Sequence, residues 1–194
     1  MQLDFTKRSY RIIFLFMSIQ KVRLTILGSG TSTGVPIIKC KCRVCRSRDP
    51  KNKRLRASVW FQVWTHHREY RSFLVDTSTD LREQALRFKI DQIDAVLYTH
   101  PHADHVQGID EIRSFNYYQK SRILAFGNSW TERELKQRFR YIFQPGVVEG
   151  GGIPKIKFVQ IPVSSCWNSC SSHSATPRLK RMSGVSDWKD CLPD

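Results

Sequence analysis

No stretch of this 194-residue chain is apolar for long enough to cross a bilayer. The run near its start, Ile12-Ile-Phe-Leu-Phe-Met17, is far below the roughly 18–20 residues a spanning helix needs. A secretory leader is not expected either, because Ser18-Ile-Gln-Lys21 offers no small-residue cleavage site after that short core. Acidic residues are scarce: 17 Asp and Glu stand against 32 Lys and Arg, a formal net charge of +15. Nine of the basic residues fall between Lys39 and Arg56, where Asp49 is the single acid. Such a run favours phosphate-bearing ligands, and equally suits a solvated face that keeps the chain in solution. It lacks the interleaved aromatics of a single-strand stacking platform, so nucleic acid is an allowed partner and not the favoured one. The length accommodates one domain with a real core.

Against those absences stands one dense cluster. His100-Pro-His102-Ala-Asp104-His105 places four metal-ligand side chains in six residues and holds three of the chain's six histidines. It comes directly after the strand-like Ala95-Val-Leu-Tyr98. A tight turn leaving a buried strand projects neighbouring side chains divergently, so His100 and His102 can meet one cation while Asp104 and His105 reach a second. Imidazole and carboxylate suit Zn²⁺, Mn²⁺ or Fe²⁺, and paired ions of this kind deprotonate water and polarise a phosphoryl or carbonyl oxygen. A solvated, His-rich loop is the plainer alternative.

A second set of soft ligands, Cys40-x-Cys42-x-x-Cys45, lies in the basic segment. Its spacing suits thiolates converging on one metal better than disulfides closing long loops, and it favours a reducing, cytoplasmic setting. Three free thiols on a flexible loop are the alternative. Upstream, Gly28-Ser-Gly30-Thr-Ser-Thr-Gly34 comes after a strand but has three residues between its last two glycines where a dinucleotide fingerprint has two, and Val35-Pro36 stops an immediate helix. Backbone or hydroxyl groups of Thr31, Ser32 and Thr33 facing a substrate phosphate are the better reading.

The periodicities predict strands at Val22–Leu27, Ala57–Trp64, Arg71–Val75, Asp94–Thr99, Arg122–Phe126 and Lys155–Ile161. Helices are expected over Asp80–Phe88, Val106–Tyr118 and Ser129–Phe143, the first and last opening on acidic capping motifs at Asp80/Glu83 and Ser129/Glu132. His66 and His67 read as the tip of a hairpin. Asp76, at a strand end, reads as a turn former.

The complete His-x-His-x-Asp-His motif, Leu27-Gly-Ser-Gly-Thr-Ser-Thr-Gly-Val-Pro36, the three cysteines and Leu74-Val-Asp76 together resemble the metallo-β-lactamase superfamily, in its phosphoribosyl cyclic phosphate phosphodiesterase (PhnP-like) branch. The resemblance runs from about Val22 to about Val163. It implies an α/β (α+β) fold, the N-terminal half of an αββα sandwich, and hydrolysis of a small, cyclic phosphodiester by a metal-bound hydroxide. It implies two active-site divalent ions, Zn or Mn, on His100, His102, Asp104 and His105, with Asp104 also orienting the water. Asp76 becomes a supporting residue behind the ligands, and Cys40, Cys42 and Cys45 hold one structural zinc. The partner it implies is a small phosphorylated substrate, and no membrane partner is expected.

Past Val163 the sequence turns serine-rich, and residues 164–194 read as an unrelated tail, with residues 1–16 as a dispensable extension and 17–163 as a partial domain. The third histidine, bridging aspartate and final histidine that the superfamily adds downstream have no recognisable motif here. His173 is a poor substitute for that third histidine, while Cys166, Cys170 and His173 offer a metal set of their own. Two further readings therefore stand beside the phosphodiesterase: a ribonuclease Z-like nuclease, and a catalytically inactive chain that binds metal or phosphate. One sheet of a sandwich also leaves an apolar face open, which points to self-association.

Overall fold

The computed structural model describes residues 19–65, 70–144 and 152–161. Six strands form one mixed sheet in chain order: β1 (Ile19–Gly28), β2 (Ser58–Thr65), β3 (Tyr70–Val75), β4 (Ala95–Leu97), β5 (Ile123–Gly127) and β6 (Ile156–Gln160). β1, β2 and β3 are antiparallel neighbours, and β3 to β6 run parallel. Helices make the parallel crossovers: α1 (Leu81–Phe88), α2 (Ala103–Val106) leading through a 3₁₀ turn (Gln107–Glu111) into α3 (Ile112–Gln119), then α4 (Ser129–Arg138) and α5 (Arg140–Phe143).

Alternation along the strands sorts the side chains. Trp60, Leu74, Val96 and Ala125 are buried on the face that the helices cover, against Leu81, Ile109, Ile112 and Leu135. The opposite face is also apolar but only partly covered among the described residues. Val22, Leu24 and Ile26 of β1 are 53%, 55% and 59% exposed, and their register partners Val63, Phe61 and Val59 are half-buried. The sheet is therefore hydrophobic on both sides and packed by helices on one.

Several boundaries depart from expectation. Asp80 does not cap α1 with its side chain; its carboxylate instead accepts from the Arg56 amide and guanidinium, both at 2.8 Å. The charge-assisted contact to a distant arginine wins over a local cap. Asn128, not Ser129, caps α4, accepting from the Thr131 amide at 2.8 Å, and Glu132 is drawn to Lys136 and Gln160. The long helix expected to Phe143 breaks at Phe139 (φ −112°, ψ 50°). The helix after the metal turn begins at Ala103, earlier than expected, and passes through a 3₁₀ segment. Gly108 is needed there: a Cβ would lie 2.1 Å from the Ser78 carbonyl oxygen, and the Gly108 amide donates to Thr77 O at 3.0 Å. His66, His67, Cys166, Cys170 and His173 lie outside the described residues.

Candidate metal centre

Strand direction gathers the functional segments at one edge of the sheet. Ile26, Val59, Val75, Leu97 and Phe126 align in a row across five strands. β1, β3 and β4 point the same way, so Gly28, Asp76 and the His/Asp turn all emerge at their carboxyl ends, where open α/β sheets place their ligands. The turn is pinned as it leaves β4: the Tyr98 amide donates to Phe126 O at 2.7 Å, and the buried Tyr98 hydroxyl meets Thr77 Oγ1 at 3.1 Å.

Asp76 organises the histidines of the turn. It is 4% exposed and sits in the left-handed region at φ 62°, a conformation that aspartate tolerates better than most residues. Its Oδ1 accepts from the Thr99 amide at 2.8 Å, and its Oδ2 accepts from the Thr99 hydroxyl at 2.8 Å and lies 2.7 Å from His105 Nδ1. A carboxylate only accepts, so His105 carries its proton on Nδ1 and a neutral ring presents Nε2 as a lone pair. Thr99 has one hydroxyl hydrogen, given to Asp76; its 2.9 Å contact with His100 Nδ1 is therefore donated by His100. His100 Nε2 is a lone pair as well. One buried carboxylate thus sets the tautomer of two histidines, directly and through a threonine.

The donor atoms left over fall into two pairs. With Nε2 a lone pair, His100 accepts from His102 Nδ1 at 3.1 Å, a proton that a cation shared by the two rings would displace, and His105 Nε2 is 3.3 Å from Asp104 Oδ2. Two ligands about 2.0–2.2 Å from a tetrahedral zinc stand about 3.3–3.6 Å apart, so the His105–Asp104 pair has the spacing of one tetrahedral edge and the His100–His102 pair is slightly closer. The His100 and His105 rings, 4.1 Å apart between centroids, put the pairs side by side. Burial, then the neighbouring His105 and His102, hold the His100 pKa below the ordinary imidazole value, which favours the neutral, ligating form. The residues fit divalent cations in donor type, and each pair supplies two of the three or four protein ligands that such an ion takes.

The cysteines converge more closely. Among the described residues, Cys40, Cys42 and Cys45 are the one set of three or more His, Cys, Asp or Glu whose donor atoms all lie within 4.8 Å of one another. Backbone amides point at the sulfurs: Ile37 N to Cys45 Sγ and Cys45 N to Cys42 Sγ, both 3.4 Å. The Ile37 amide pulls the Cys45 pKa down, but burial and the two adjacent thiols together outweigh it and the net shift is upward. A cation would reverse that balance by stabilising the thiolates.

Thr31, Ser32 and Thr33 are exposed. Thr31 and Thr33 hydroxyls meet at 3.1 Å, and Ser32 O accepts from Arg56 Nε at 2.8 Å, so the loop is tied to the same arginine that engages Asp80. Sequence reasoning missed Arg56, Thr99 and Arg138. Arg138 NH1 donates to Pro101 O, between the first two histidines, at 2.6 Å, while Glu134 holds its NH2 at 2.9 Å. Only Thr99 had a visible signal, its place directly before the motif.

A domain model described as a β-lactamase superfamily domain matches residues 71–169. A crystal structure of a diphosphatase from the PhnP family superposes with a TM-score of 0.63 at 40% identity, over 75% of this chain and 52% of that one. Zn²⁺-bound PqqB from Methylobacterium extorquens superposes at 0.53 and 21% identity, over 71% and 45%, a likeness of fold. An octanoyltransferase of Porphyromonas gingivalis is 40% identical over 135 residues, 70% of this chain but 26% of that protein. The chain spans about half the length of the two solved structures, and most of the octanoyltransferase lies outside the match.

Proposed function

Since the chain belongs to the β-lactamase superfamily, we propose that its chemistry is the metal-dependent hydrolysis of a small, cyclic phosphodiester. The observation that carries this reading is the pair of donor sets at 3.1 and 3.3 Å, side by side on one turn. His100 and His102 would hold one divalent ion, zinc or manganese, and Asp104 and His105 the second. Such ions supply an activated water at neutral pH and charge stabilisation for a phosphoryl oxygen. The protein's own part is placement. Asp76 and Thr99 keep the Nε2 atoms of His100 and His105 aimed outward, Arg138 fixes the Pro101 carbonyl, and the sheet edge holds the whole turn still. Asp104 is the residue assigned to orient the attacking water. Cys40, Cys42 and Cys45 would bind a separate structural zinc, and the 40% identity to a PhnP-family diphosphatase supports a phosphorylated substrate.

Metal analysis paired with a chromogenic phosphodiester assay tests this. The chain is assayed alone and mixed with the half of the PhnP-family diphosphatase that the superposition leaves uncovered. Turnover is expected to be at most a trace for the chain alone, to rise in the mixture, and to disappear with Asp104→Asn. Turnover indifferent to Asp104→Asn, or a protein that takes up no metal at the turn, would overturn the assignment.

A further inference from the structure

Where the glycine loop meets the segment after the cysteines, the fold leaves a cavity of about 210 Å³ that the metal chemistry does not use. Leu55 and Phe88 form part of its apolar wall, and Lys51, Lys53, Arg54 and Arg87 also line it. No carboxylate lines it, and none of these four cations has an ion pair among the described residues. Their contacts do not neutralise them: Arg54 Nε donates to Lys51 O at 3.2 Å, and the Arg87 guanidinium lies 5.7 Å from the Phe88 ring centre.

The cations are held together by the backbone, from two elements. Three come from the segment before β2 and the fourth from the last turn of α1. That segment is locked to the glycine loop: the Gly30 amide donates to Leu55 O at 2.8 Å, Val35 and Arg54 exchange amide bonds, and a Cβ on Gly28 would lie 2.1 Å from Arg56 O. Four like charges on exposed side chains that line so small a volume create a local positive potential that an anion relieves. The apolar wall adds contact area for the carbon skeleton carrying that anion.

We propose that this cavity binds a phosphate-bearing small molecule at a site separate from the His/Asp turn. The cavity lies beside the end of β1, three strand spacings from β4, or roughly 15 Å across the sheet. This inference does not rest on the hydrolase reading, and the experiment keeps the two apart.

The full chain carrying His102→Ala is titrated with inorganic phosphate and with diphosphate by NMR, following amides of residues 51–55 and 87–88. Saturable shifts are expected there, stronger for diphosphate and weakening steeply with added salt. Arg87→Gln and Lys53→Gln, each added singly, should weaken diphosphate binding about tenfold, the scale of one charged hydrogen bond, with the thermal midpoint unchanged. The proposal is overturned if no saturable binding occurs, if neither charge removal weakens diphosphate binding, or if His102→Ala abolishes it. Binding of a single-stranded oligonucleotide in place of either phosphate probe would overturn it too, in favour of a nucleic-acid surface.

Discussion

The His/Asp turn and the cysteine loop are both metal-ligand clusters, yet the fold treats them oppositely. Four partners from outside hold the turn: Asp76 at the end of β3, Thr77 beside it against the Tyr98 hydroxyl, Arg138 at the end of α4, and the Phe126 carbonyl on β5, which accepts from the Tyr98 amide. The cysteine loop is organised by its own neighbours, with amide-to-sulfur contacts from Ile37 and Cys45. The turn's donors stand as two separated pairs with the His100 and His105 tautomers set by Asp76 and Thr99, whereas the three sulfurs converge within 4.8 Å of one another. A centre that must do chemistry gains from being fixed in advance; a structural centre can let the metal finish the folding.

The sharpest way to break this contrast is to remove Asp76. Asp76→Ala leaves the Thr99 amide and His105 Nδ1 without their acceptor and puts alanine at φ 62°. We expect stability to fall by about 3 kcal/mol in urea titrations and metal affinity at the turn to fall by 10–100-fold or more. Asp76→Asn, which tolerates the backbone angle, should retain most of the stability and still misorient the histidines. Zinc at the cysteines should persist in both; its parallel loss would mean that the two sites are one unit.

Direct ligand removal comes next. His102→Ala and Asp104→Asn each take one member of a donor pair and should lower cobalt or zinc occupancy at the turn by about tenfold or more, with a small change in stability. Unchanged metal content in a preparation that does bind metal at the turn would rule out these ligands. Cys42→Ser should strip zinc from the loop and loosen residues 37–46 in hydrogen exchange, leaving the cobalt spectrum of the turn unaltered.

The smallest effect is in protons. Loading the cysteine loop near pH 7.5 should release more protons per ion than loading the turn, because Cys45, although pulled down by the Ile37 amide, is on balance held above the ordinary thiol pKa, while burial holds His100 below the ordinary imidazole value. Calorimetry in buffers of differing ionisation enthalpy reads both. The same asymmetry has a sign in the metal-free chain. His100, held below the ordinary imidazole pKa when folded, stabilises the fold above about pH 6.5, and that contribution drains away as pH falls toward its lowered folded value. Thermal midpoints of His100→Gln should lose this part of the pH dependence.

Much of the fold was legible because strand alternation and short sequence spacing are local properties. The six strands fall on alternating or continuous apolar runs, and the ligand turn sits directly behind one of them. The helix starts were less legible, since Asp80 and Ser129 look like caps and the choice between a cap and another partner depends on what arrives from elsewhere: Arg56 claims Asp80, and Asn128 displaces Ser129 by one residue.

The chain's covalent order alone names the chemistry of this protein. Four nitrogen and oxygen side chains of metal-ligand type in six residues, and three thiols in another six, are two donor sets of different softness whatever the fold around them. Orientation needs three dimensions. That His100 and His105 both offer Nε2 is due to Asp76, more than twenty residues upstream, reaching Thr99 and His105 across a parallel strand pair, and that the turn stays in place is due to Arg138, 37 residues beyond Pro101. A hydrogen bond is decided by distance and direction between groups that the chain brings together only after the sheet has formed, so no reading of neighbours in sequence contains it.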